Sequence, residues 1–252
     1  MDTARIFQHP ELDGNSFYRA GGKTGVLLFH GLTATTTEVR PLADFLYARG
    51  YTVMSPLLPG HGTTPQDLNR CKWQDWTHTA EDAYKTMKRG CRRVFVGGES
   101  MGGLLALFLA SQHPEIAGVL LYAPALQVKG LSRSRYLAPI LKFTKKGPGD
   151  RSMPWKGYWV NPLYAANQLY LLQQEILKRL PAVLQPTLIV QGRKDQTIDP
   201  AGANLLYDRL GSADKQLHWF EESGHCALLD HEADVIFELT EVFIRNAQAE
   251  VA

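Results

Sequence analysis

The stretch VFVGGESMGGLLALFLA, residues 94–110, decides the fold. A run of strand-like residues enters Gly-Gly-Glu-Ser-Met-Gly-Gly and passes straight into an apolar helix. Glycine is unfavourable inside both elements, so four of them around one serine need a reason. The pattern G-x-S-x-G, here Gly98, Ser100 and Gly102, supplies it. Where a strand turns into a helix through a single residue, that residue is strained and its side chain stands at the tip of the turn. Side chains at the flanking positions would collide, and glycine removes them. The serine oxygen is then lifted clear of the sheet edge beside a helix N-terminus, whose free N–H groups and positive dipole end suit a developing oxyanion.

Working outward, apolar runs of strand length alternate with segments of helical period. Strands are expected at 25–31, 51–56, in RRVFVGG and IAGVLLYAPA, and at 186–192 and 216–222. Helices are expected at 37–50, 73–88, in MGGLLALFLASQH, and at 200–210 and 231–248. Such interleaving predicts an α/β protein with a mostly parallel sheet covered on both faces. The interval 126–185 breaks the rhythm. It opens with a basic stretch (Lys129, Arg133, Arg135, Lys142, Lys145, Lys146, Arg151) and continues with Trp155, Tyr158, Trp159, Tyr164 and Tyr170. We expect residues 1–125 and 186–252 to form the core and 126–185 a cap over the C-terminal edge of the strands, where open α/β sheets hold their ligands.

A serine nucleophile needs a base held by a third group. His225, in ESGHCALLD between the strand at 216–222 and the last helix, is the candidate base among eight histidines. The acid should follow a strand between Ser100 and His225, and QGRKDQTIDP offers Asp195 and Asp199. Asp199 precedes Pro200 as a helix N-cap would, which explains it structurally and leaves Asp195 as the candidate acid, with Asp199 as fallback. Two backbone donors complete the constellation: Met101 N–H after the nucleophile, and Leu32 N–H in the loop FHGLTATTTE. Thr33 to Thr37 also suit a polar loop capping a helix that starts near Glu38.

Composition sets the bounds. The chain has 252 residues, 44% hydrophobic and 21% charged, enough for one sizeable core. A net charge of +2 gives no reason to expect a nucleic-acid partner. No apolar run approaches transmembrane length, and the start lacks the apolar centre of a signal peptide. The expectation is a soluble, cytoplasmic protein. Three cysteines without paired spacing suggest neither a disulfide framework nor a zinc site.

The ordered motifs strand-HG-L, LLPGHG (57–62), G-x-S-M-G-G, QGRKD and SGH together resemble the α/β-hydrolase superfamily. More narrowly, they are similar to small bacterial carboxylesterases of the monoacylglycerol-lipase-like group with a compact cap. The resemblance covers the core from about residue 25 onward. It implies that the matching Ser100, Asp195 and His225 are catalytic, that no metal or organic cofactor is needed, and that the substrate is a small-molecule ester. Short- to medium-chain acyl esters or monoglycerides are favoured; a thioester or lysophospholipid, its anionic part met by the basic stretch, is the alternative. One departure is Glu99, where many relatives carry histidine or leucine before the nucleophile.

Overall fold

The computed structural model describes residues 6–146 and 153–249. Seven strands form the central sheet: β1 (Phe17–Arg19), β2 (Thr24–Phe29), β3 (Thr52–Ser55), β4 (Arg93–Glu99), β5 (Gly118–Tyr122), β6 (Thr187–Gly192) and β7 (Lys215–Phe220). Their spatial order is β7-β6-β5-β4-β2-β3-β1. Every pairing is parallel except that of β1 with β3 at one edge. The α/β-hydrolase architecture expected from the sequence is the one observed. β1 was not expected: three residues show no periodicity, and the strand exists through its pairing with β3.

Parallel strands need crossover helices, and these cover both faces. Along β2 the alternation is plain, since Val26 and Leu28 face one apolar cluster while Leu27 and Phe29 face the other. Helices α1 (Arg40–Ala48) and α6 (Ala233–Ala249) bury Leu42, Leu46, Ile236 and Ile244 against the first face. On the second lie α2 (Trp73–Gly90), α3 (Met101–Ala110) and α4 (Leu163–Arg179). Helix α5 (Pro200–Arg209) starts as expected, with the Asp199 side chain accepting Ala201 N–H and proline in the first turn. The helix expected over 37–50 is shorter. Thr36–Glu38 form a 3-10 turn, α1 begins only at Arg40, and Gly50 ends it at φ +89°.

Among its described residues, the segment 126–185 contributes no strand to the sheet. It holds two-stranded ribbons instead: Gly157–Tyr158 pairs with Phe7–Gln8, and Phe143–Lys145 with Val160–Pro162. Its second half, α4, is rooted in the main apolar cluster through Ala165, Leu169, Leu172 and Ile176.

Candidate active site

Ser100 links β4 to α3 with φ 55° and ψ −114°, a left-handed conformation that costs a non-glycine residue about 1–3 kcal/mol. Three backbone bonds hold it there. Its N–H donates to Tyr122 O (2.9 Å), and its carbonyl accepts Ala125 N–H (3.0 Å) and Gly103 N–H (3.2 Å). The flanking glycines are required by close approach. A Cβ on Gly102 would lie 1.9 Å from Phe29 O, and one on Gly98 would lie 2.4 Å from the same oxygen.

The structure brings Ser100, His225 and Asp195 into one hydrogen-bonded chain. His225 Nε2 is 3.1 Å from Ser100 Oγ and Nδ1 is 2.9 Å from Asp195 Oδ2. With the hydrogen on Nδ1, the ring donates to the carboxylate and accepts from the serine hydroxyl. Asp195 also receives Gln191 Nε2–H (2.9 Å), Thr197 N–H (2.7 Å) and Ile198 N–H (2.9 Å). Burial favours its protonated form, but the bonds from His225 and these two amides outweigh that and hold the carboxyl below its ordinary range. Asp199 caps its helix instead, its side chain accepting Ala201 N–H. The His225 loop is pinned by acids that sequence reasoning missed: Asp230 accepts Gly224 N–H (2.6 Å), and Glu232 accepts Ser223 Oγ–H (2.7 Å) and Glu222 N–H (3.0 Å). The signal was there in LLDHE, five to seven residues after the histidine.

The loop after β2 carries the other expected donor. Gly31 N–H donates to Glu38 Oε2 at 2.5 Å, and His30 Nδ1 lies 2.9 Å from the Gly31 carbonyl while its Nε2 accepts Leu58 N–H (3.1 Å). Burial pushes His30 down to about 4, so the ring is neutral and can donate from Nδ1. In a trans peptide C=O and N–H point opposite ways, so fixing the Gly31 carbonyl aims Leu32 N–H the other way. Among the described residues neither Leu32 N–H nor Met101 N–H donates to a protein acceptor. A Cβ on Gly31 would lie 3.2 Å from Ser100 Cβ, which sets this loop directly against the serine.

Glu38 and Glu99 are both buried, at 4% and 0% exposure. Glu99 Oε1 accepts Leu228 N–H (3.3 Å), and its Oε2 has no partner among the described residues. Burial, then the charge of Glu38, push the Glu99 carboxyl well above the usual carboxylate range. The thiol of Cys226, beside His225, is likewise pushed far up by burial and the same acids, so it does not supply a thiolate.

Ser100 and His225 open onto a cavity of about 990 Å³. Val128, Leu131, Leu137, Leu163, Ala166 and Leu169 make an apolar wall; Trp155 and Trp159 also line it. Tyr158 serves differently: it is fully buried, donates to Gly60 O (2.7 Å) and accepts Thr63 N–H (3.0 Å), anchoring the LLPGHG loop. Of the basic stretch, Lys129, Arg133 and Lys146 reach the cavity, and Arg151 lies outside the described residues. Among the described residues no group of three metal-ligating side chains gathers, and no helix is long and apolar enough to cross a membrane.

A strained serine between a parallel strand and a helix, with histidine and aspartate delivered by later strand ends, is the architecture of one family. Residues 26–239 match the alpha/beta hydrolase family, and the chain belongs to it. It is 33% identical over 250 residues to the thermostable monoacylglycerol lipase of Bacillus sp. (strain H-257), covering 95% of this chain and 98% of that one. To the carboxylesterase of Bacillus subtilis (strain 168) it is 32% identical, covering 86% and 91%. A solved structure from the pair LipS and LipT, two metagenome-derived lipolytic enzymes, superposes with a TM-score of 0.88 at 33% identity, covering 92% of this chain and 98% of that one.

Proposed function

We propose that the protein is a serine carboxylester hydrolase acting on short- to medium-chain acyl esters or monoglycerides through an acyl-enzyme. The observation that carries this reading is the chain Ser100 Oγ–His225 Nε2–Asp195 opening into a cavity with an apolar wall. His225 takes the Ser100 proton as the oxygen attacks the ester carbonyl, and Leu32 and Met101 N–H receive the oxyanion. The alcohol leaves with the proton from His225. Water, deprotonated by the same ring, then attacks the acyl-enzyme, the acid departs and Ser100 regains its proton. Asp195 remains ionised, fixes the histidine tautomer and stabilises the imidazolium. Residues 126–185 act as the cap, with 1–125 and 186–252 as the core. The cytoplasm is the compartment we assign, consistent with three free thiols.

Hydrolysis of p-nitrophenyl esters from acetate to palmitate, with wild type beside Ser100→Ala, tests the reading. Turnover peaking at short or medium chains and falling on the order of 10⁴- to 10⁶-fold in the variant is expected. Equal residual rates in the two proteins would overturn it. Lys129, Arg133 and Lys146 on the cavity favour a second reading, a thioesterase or lysophospholipase using the same three residues on an anionic acyl substrate. Its activity would fall steeply with ionic strength, and a flat response would exclude it.

A further inference from the structure

Cations on the cavity differ in what holds them. Lys194 is ion-paired with Glu222, while Lys129 and Arg133 are exposed at the rim. Lys146 is half-buried, and its Nζ stands 4.3 Å over the Trp155 ring. No described carboxylate lies within ion-pair distance of it. The acidic groups that reach it are the Cys226 thiol, kept protonated by burial, and Glu38, whose carboxyl is committed to Gly31 N–H and driven toward its protonated form by burial. The desolvation is large enough to push the Lys146 ammonium down to about 8. An ammonium that has lost water without gaining an anion among the described residues is costly, and the indole face offsets only part of that.

Its place in the cavity is also specific. Trp155 abuts the loop that carries Leu32: a Cβ on Gly157 would lie 2.2 Å from the Trp155 ring and 2.6 Å from Thr33 O. The apolar wall comes from elsewhere, from Val128 to Leu137 and from α4. A substrate whose acyl chain lies on that wall has its alcohol half left for the polar side.

We propose that Lys146, seated on Trp155, is a specificity-determining residue that binds an anionic group, carboxylate or phosphate, on the alcohol half of the ester. This rests on the serine ester hydrolase reading and deepens it. The acyl chain then supplies apolar burial and the anion supplies orientation, so the two halves of the substrate are sorted before attack.

The test compares three esters with one acyl chain: 1-decanoylglycerol, 1-decanoylglycerol 3-phosphate and O-decanoyl glycolate. Wild type, Lys146→Met, Lys146→Arg and Lys145→Met are assayed on each. Wild type is expected to favour one or both anionic esters in kcat/KM. Lys146→Met should lose that preference on the order of 10-fold, in KM, and leave the neutral ester within about twofold. Lys146→Arg should restore it, and Lys145→Met, at an exposed neighbour off the cavity, should keep it. A gain for phosphate, glycolate or both upholds the subsite and says which anion it takes. A wild-type preference for the neutral ester, or an equal loss on all three in Lys146→Met, would overturn it. Decyl phosphate, which has no acyl ester, reads the subsite by calorimetry without turnover. Decyloxyacetate covers the carboxylate in the same way; a Kd about 10-fold weaker in Lys146→Met for either ligand supports the subsite, and unchanged Kd values for both overturn it even if no ester is hydrolysed. Failure of the parent reading shows separately, as no turnover of any of the three esters by wild type.

Discussion

Glu38 takes the N–H of Gly31 at 2.5 Å, one residue before the amide we assign to the oxyanion. A buried acid thereby sets the direction of the loop together with the His30 ring on the Gly31 carbonyl. Removing it in Glu38→Ala leaves Gly31 N–H without its acceptor and frees the loop to turn. The expected result is a folded protein whose kcat falls about 10- to 100-fold with KM little changed, part of the 10²- to 10³-fold that one oxyanion donor contributes. Glu38→Gln, whose amide oxygen can accept the same N–H, should keep most of the rate. Steady-state kinetics on p-nitrophenyl butyrate with circular dichroism checks both, and unimpaired kcat in Glu38→Ala would show that the loop holds itself.

Two neighbouring aspartates should separate cleanly. Asp195→Asn removes the carboxylate charge and can turn an NH2 toward His225 Nδ1, which favours the wrong tautomer, and should lower kcat by about 10⁴-fold. Asp199→Ala removes only the cap on Ala201 N–H, costing about 1 kcal/mol of stability and no activity. Melting curves and initial rates on the two variants decide the assignment; the opposite pattern would make Asp199 the acid.

Glu99 gives a pH signature. Its folded carboxyl binds its proton more tightly than the unfolded chain does at a value near 4.5. Between those two values the native state carries the extra proton, so stability contributed by this group is lost as pH rises. Glu99→Gln keeps the shape and removes the titration. Parent and variant should melt together near pH 4, and at pH 8 the variant should melt a few degrees higher, on the order of 2–4 °C per kcal/mol. A parent that melts higher at pH 8 would mean that Glu99 is ionised and well paired.

Gly102→Ala should fail for steric reasons, since its Cβ would meet the Phe29 backbone, its O at 1.9 Å and its C at 2.5 Å. A loss on the order of 3 kcal/mol is expected. Gly130→Ala is the comparison: it has φ +72° and nothing within 4 Å, so only the conformational penalty of about 1–2 kcal/mol applies. Chemical denaturation of both variants measures the difference.

Sequence and structure agree where the signal is local. The strand, the glycines around Ser100 and the following helix occupy one continuous stretch, and the Asp199-Pro200 pair announces its own helix start. Glu38 was not legible in this way. It reads as the first acid of a helix, and only the meeting of its turn with Gly31 and Ser100 explains why the carboxylate is buried. Lys146 was hidden among its neighbours, because a run of like charges does not reveal which one turns inward. The acids at 230 and 232 were in view as residues, but their work on the His225 loop depends on a turn that periodicity does not encode.

Helix α4 ties two properties together. Leu169 lines the cavity and belongs to the main apolar cluster at 4% exposure, so the surface presented to an acyl chain is also the inner support of the domain. Lengthening the pocket by Leu169→Ala would therefore cost about 2–5 kcal/mol of stability along with any gain in chain length. Leu137, on the outer wall at 37% exposure, carries no such burden. Chain-length preference can therefore be altered at the outer wall without loss of heat resistance, and at the inner wall only with it.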